Sequence, residues 1–143
     1  MTYQENYQKW VDFADLPDYL RQDLENMDEK TKEDAFYTNL EFGTAGMRGL
    51  IGAGTNRINI YVVRQATEGL ARLIESKGGN EKERGVAIAY DSRHFSPEFA
   101  FESAAVLAKH GIKSYVFESL RPTPELSFAV RYLNCFAGIM ITA

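Results

Sequence analysis

The chain has 143 residues, enough to bury the core of one domain. It is 45% apolar and 25% charged, an ordinary balance for a globular protein. A formal net charge of −4 argues against nucleic acid as the main partner, because a phosphate backbone rewards a basic face. One cysteine excludes an internal disulfide framework, and one cysteine with two histidines is a poor basis for a zinc site.

The N-terminus "MTYQENYQKW" carries no signal-peptide pattern, and no apolar run approaches the length of a membrane span. A cytoplasmic protein with no membrane partner is therefore expected. Residues 1–40 read as a helical lead-in, acidic and dotted with aromatics, with helices at Tyr3–Phe13, Pro17–Met27 and Asp28–Thr38. Pro17 suits a first helical position. The lead-in is too short to bury a good core alone. The texture changes at "LEFGTAGMRGLIGAGTNRIN" (40–59), where Gly43, Gly46, Gly49, Gly52 and Gly54 make a continuous helix costly. A strand entering at Leu40, a glycine-rich turn and a loop are expected there.

Ile60–Lys77 predicts a helix with Val63, Ala66, Leu70, Leu73 and Ile74 on one face, stopped by Gly78-Gly79. The charges of "TEGLARLIESKGGNEKERG" fit a solvated helix face and a turn. "GVAIAY" (85–90) predicts a strand covered on both faces. Ser96-Pro97-Glu98 then opens a helix to His110, with Ser96 as N-cap, and "IKSYVF" (112–117) is a second strand. Thr123-Pro124-Glu125 repeats the device for a helix to about Asn134, and "FAGIMI" (136–141) is the third strand. Alternating strands and helices with short connections imply a three-layer α-β-α fold around a largely parallel (mixed) sheet. Ligands of such sheets gather outside the carboxyl ends of the strands, at Asp91–His94, Glu118–Pro124 and whatever follows Ala143.

"FGTAGMRG" (42–49) is the sharpest motif. Gly43, Gly46 and Gly49 recur every third residue and leave backbone amides open to a ligand. Arg48 adds a planar donor fork suited to phosphate. A tight glycine turn with a surface arginine fits these residues equally well. It is not a dinucleotide fingerprint, since Gly52-Ala-Gly54-Thr-Asn-Arg57 has arginine in place of the third glycine, and no Walker-type loop occurs. This weakens a nucleotide-binding βαβ reading. Asp91 and Arg93 in "AYDSRH" either line a phosphate site or form a turn pair that positions the next helix, and the turn is favoured. "RPTPE" (121–125) reads as a rigid turn with a cap. Cys135 reads as a small buried hydrophobe, because neither His94 nor His110 is placed to activate it.

"FGTAGMRG", "YDSR", "RPTPELSFAVR" and "GIMITA" in that order resemble the α-D-phosphohexomutase family of phosphoglucomutases, phosphomannomutases, phosphopentomutases and phosphoglucosamine mutases. The resemblance covers about residues 40–143 and is nearest the phosphoglucomutase/phosphopentomutase branch. It implies residues 41–143 as the first domain of a longer isomerase that exchanges hexose 1-phosphate and 6-phosphate. Exchange would run through a phosphoserine and a bisphosphorylated sugar. Arg48 would contact phosphate and Thr44 substrate, with Gly43, Gly46, Gly49, Asp91 and Arg93 in support. Thr142 and Ala143 match the first two residues of the phosphoserine loop, so the nucleophilic serine would follow Ala143, and these residues alone would be inactive. Mg²⁺ is implied for the parent enzyme, with no metal ligand in this chain. Sugar phosphates, sugar bisphosphates and the parent's other domains are the implied partners, and self-association through an uncovered last strand is expected. A stand-alone phosphate or sugar-phosphate binding module is the alternative.

Overall fold

In the computed structural model, residues 2–41, 47, 49–90, 95–117 and 123–141 are described, less the side chains of 123–125 and 127. The chain divides into two compact units, Met1–Val62 and Val63–Ala143.

Three short helices open the first unit: α1 (Tyr3–Val11), α2 (Asp18–Glu25) and α3 (Glu29–Phe36). Side-chain caps start two of them. Thr2 Oγ1 accepts from the Glu5 amide at 3.2 Å, and Asp28 Oδ1 accepts from the Thr31 amide at 2.8 Å. The Thr31 amide also holds the Asp28 carboxyl below its ordinary range. Pro17 lies one place before its expected position, as the N-cap of α2, because its carbonyl already accepts from the Leu20 and Arg21 amides. Leu16, Leu20, Leu24, Ala35, Phe36 and Ala53 form a buried cluster. The Phe36 ring meets Tyr7 and Trp10 edge-on, each at 5.7 Å between centroids.

The strand expected at Leu40 does not form at Leu40, Glu41, Met47, Gly49 or Leu50; Ile51 and Ile58 make an isolated bridge instead. Gly54 bends sharply there at φ +133, where an added Cβ would lie 2.6 Å from the Ala35 carbonyl oxygen. Backbone turned in this way cannot extend a ladder.

The helix expected over Ile60–Lys77 is α4 (Ile60–Lys77), ended by Gly78 at φ 69. Its buried face differs from the expected one. Val63, Ala71 and Ile74 are buried with Thr67, while Leu73 is 50% exposed. Thr67 is tolerated inside because its hydroxyl donates to the Val63 carbonyl and lies 3.1 Å from Ser103 Oγ. A single-turn helix, α5 (Glu81–Arg84), occupies the expected turn.

The rest of the second unit runs β1 (Val86–Tyr90), α6 (Ser96–Lys109), β2 (Ser114–Val116), α7 (Thr123–Tyr132), β3 (Ala137–Ile141). The order in the sheet is β2-β1-β3 with every pairing parallel. β1 is buried throughout, as its unbroken apolar run requires. Val86, Ile88 and Tyr90 face one way, with Ala71 and Ile74 of α4 and Ala100 and Leu107 of α6. Ala87 and Ala89 face the other, with Leu126 of α7 and Cys135. This is a three-layer α-β-α arrangement. Gly138 lets α7 lie close on β3, since a Cβ there would come within 2.7 Å of Val130 Cγ2.

Candidate functional site

Parallel pairing puts the carboxyl ends of the three strands at one edge of the sheet. Tyr90 pairs with Ile141 and Ile88 with Val116, so β1 and β3 end level with each other. From β1 the chain moves one way to β2, then back past β1 to β3. Two crossovers of the same hand that run in opposite directions must place α6 and α7 on opposite faces, as observed. In open sheets of this kind a reversal of strand order, here between β1 and β3, is where ligands usually gather. Residues 91–94 follow directly from β1, and 142–143 from β3.

Of the residues expected to act, Gly49 is described; it is exposed, and a Cβ would stand 3.2 Å from Leu40 Cδ1. Gly43, Thr44, Gly46, Arg48, Asp91, Arg93, Thr142 and Ala143 lie outside the described residues.

The segment after the glycine motif is tied down by side chains that sequence reading did not single out for this role. Asn59 is buried; its amide donates to the carbonyls of Gly52 and Gly54 at 2.9 Å each. Its oxygen accepts from the Tyr61 and Val62 amides and so caps the start of α4. Asp23 accepts from the Ala53 amide at 2.7 Å. Arg57, which breaks the glycine fingerprint in the sequence, is buried and pairs with Asp34 at 2.7 Å. An Asn followed by an apolar helical period was the available signal for the cap. The Asp23 and Arg57 contacts span 30 and 23 residues and leave no local signature.

After 91–94 comes Phe95 at φ 67, left-handed and rare for a bulky residue. Phe95, rather than Ser96, takes the N-cap position of α6. Ser96 is the first helical residue and is buried. The backbone turn into the helix is made one residue early, so Pro97 still falls in the first turn.

Cys135 is buried, and burial pushes its thiol above the ordinary value, as a small core hydrophobe requires. Among the described residues no group of histidine, cysteine and carboxylate side chains is arranged to hold a metal. None of their helices is long and apolar enough to cross a membrane.

The parallel sheet between helical layers defines an α/β domain with its strand order reversed between β1 and β3. The family model for the phosphoglucomutase/phosphomannomutase alpha/beta/alpha domain I matches residues 39–143, and the chain belongs to that family. Among curated relatives, a phosphoglucomutase of Staphylococcus epidermidis is 42% identical over 134 residues, covering 94% of this chain and 24% of the relative. Phosphoglucomutases of Staphylococcus haemolyticus and Staphylococcus aureus are 46% and 47% identical over 112 residues, covering 78% of this chain and 20% of each relative. The chain thus spans about a quarter or less of the length of these relatives. No solved structure matches it.

Proposed function

We propose that the chain is the first domain of a phosphoglucomutase-like isomerase, with residues 1–40 as its helical lead-in and 41–143 as the domain itself. The observation that carries this reading is the family match over 39–143, which contains the whole of "FGTAGMRG" and the residues that follow β1 and β3 in the chain. The full reaction interconverts hexose 1-phosphate and hexose 6-phosphate through a phosphoserine and a bisphosphorylated sugar, in the cytoplasm.

Phosphoryl transfer asks mainly for positioning and for neutralisation of charge on the moving group. Arg48 offers a permanent cation with parallel N–H donors for phosphoryl oxygens. Thr44 adds a hydroxyl, and the amides around Gly43, Gly46 and Gly49 add neutral donors. Asn59, Asp23 and Arg57 hold the loop that follows the motif in the chain. Asp91 and Arg93 support the turn after β1, and Thr142 and Ala143 lead toward the nucleophile. Mg²⁺ serves the whole enzyme in this reading. The described residues offer it no ligand set. The chain alone holds sugar phosphate without turning it over.

The test is a titration of the ¹⁵N-labelled chain with glucose 1-phosphate, followed by ¹H–¹⁵N and ³¹P NMR. Saturable shifts are expected, weakened about 10- to 100-fold in Arg48→Ala, as expected for loss of a charge-assisted contact. Binding of equal strength without Arg48, or no binding to the unaltered chain, would remove the phosphate role.

A further inference from the structure

We infer that His110 is a proton-dependent clasp, held as an imidazolium between Glu68 and Glu75 and tying the C-terminal end of α6 to α4. The geometry requires the charged ring. His110 Nε2 lies 2.9 Å from both carboxylate oxygens of Glu68, and Nδ1 faces Glu75 Oε1. A carboxylate only accepts, and neutral imidazole has one N–H. One nitrogen would then point its lone pair at an anion. With both ring positions protonated, each carboxylate receives a donor. Glu68 and Glu75 are seven residues apart on α4, about two turns, so both point to the same side and the ring fits between them.

The surrounding charges support this assignment. His110 is the C-cap of α6, where the helix dipole favours a cation. From α4, Arg72 Nε sits 3.4 Å from Glu68 Oε1, and from the α5 side Lys82 Nζ lies 3.9 Å from Glu75 Oε1. Lys109 precedes the ring on its own helix. These cations temper the pull on the proton, and Arg72 also favours the charged form of Glu68. The hydrogen bonds to Glu68 and then Glu75 raise the affinity of His110 for its proton, against a smaller opposing effect of desolvation. Glu68 is lowered in turn, chiefly by His110.

The direction of the pH effect follows from the raised value. The clasp is complete below the ordinary histidine value and is lost as pH rises through the higher folded one. What it fastens is the end of α6 at Gly111, the turn that feeds β2. Further along the same seam, Thr67 meets Ser103 and Arg64 pairs with Glu102 at 2.7 Å, independent of this proton. Alkaline pH therefore loosens one end of the α4–α6 contact and leaves the other closed.

Long-range ¹H–¹⁵N spectra of the imidazole nitrogens, recorded across pH on the full chain carrying His94→Gln, isolate the His110 ring. Both nitrogens protonated at neutral pH, with a midpoint above 6.5 that falls in Glu68→Gln, is the expected result. A single neutral tautomer at neutral pH, with a midpoint at or below 6.5, would overturn the clasp. Urea unfolding at about pH 6 and about pH 9 gives a second reading, since linkage ties a raised pKa to a loss of stability across that interval. The loss should shrink in His110→Gln, and an equal loss in both proteins would also overturn the clasp. If His110→Gln does not fold, the imidazole spectra decide.

Discussion

Gly85 is the residue on which the start of the sheet turns. It sits at φ 79 immediately before β1, its carbonyl accepts from the Phe136 amide, and a Cβ would fall 2.5 Å from the Lys113 carbonyl oxygen. That same oxygen accepts from the Val86 amide, so all three strands are aligned within one residue of Gly85. Gly85→Ala meets both the left-handed penalty and a backbone clash, and should lower stability by about 1–3 kcal/mol. Gly69 is the control: it lies inside α4 with nothing within 4 Å of its would-be Cβ. Gly69→Ala should gain about 0.5–1 kcal/mol. Urea denaturation of the two variants checks both, and an undiminished Gly85→Ala would contradict this view of the strand starts. At this scale the sequence was legible where the cause was local. Gly78 ends α4 and Cys135 packs as a small hydrophobe, both as their neighbours suggest. Asp23 accepts from the Ala53 amide and Arg57 pairs with Asp34 across 30 and 23 residues, a nearness that is a product of folding and that no neighbouring residue announces.

At the scale of elements, the first unit depends on packing more than on helix propensity. Its helices have eight or nine residues each, too short to persist alone in water. Phe36, fully buried, is where they converge, with Tyr7 and Trp10 against its ring edges. Phe36→Ala should cost about 3–5 kcal/mol. Trp10, the sole tryptophan, reports that loss directly through its fluorescence during denaturation. A cost below about 1 kcal/mol would mean that the helices hold together without this cluster, contrary to what a fully buried Phe normally contributes. Element positions were readable from apolar period and from proline and glycine, but facing was less so. Leu73 is exposed and Thr67 buried because the sheet and Ser103 decide which side of α4 turns inward. The second strand is shorter than its apolar run because β1 offers Ser114–Val116 their partners at Val86–Ile88 alone.

At the scale of the molecule, the alternation of strands and helices was sufficient to anticipate parallel strands between helical layers. The strand order β2-β1-β3 came from the structure, and with it the reversal between β1 and β3. The proposed site rests on an ordered set of motifs in the sequence rather than on a geometry. "FGTAGMRG" alone fits a bare glycine turn as well as a phosphate cradle, and what supports the proposed cradle is the company of the other three motifs along the chain. The physical signal for the site is weak because backbone amides, the main donors of a glycine loop, look alike in every sequence.

A chimera carries the reading to its sharpest test: this chain replaces the matching segment of the Staphylococcus epidermidis phosphoglucomutase, with which it shares 42% identity. Conversion of glucose 1-phosphate, primed with its 1,6-bisphosphate in the presence of Mg²⁺, is followed by ³¹P NMR. The chimera should turn over its substrate, and Arg48→Ala within it should slow turnover by about 10²–10³-fold, the usual cost of removing one donor to a developing charge. A folded chimera that leaves glucose 1-phosphate untouched, or one whose rate is indifferent to Arg48, would mean that these residues bind phosphate or scaffold a partner without serving a mutase.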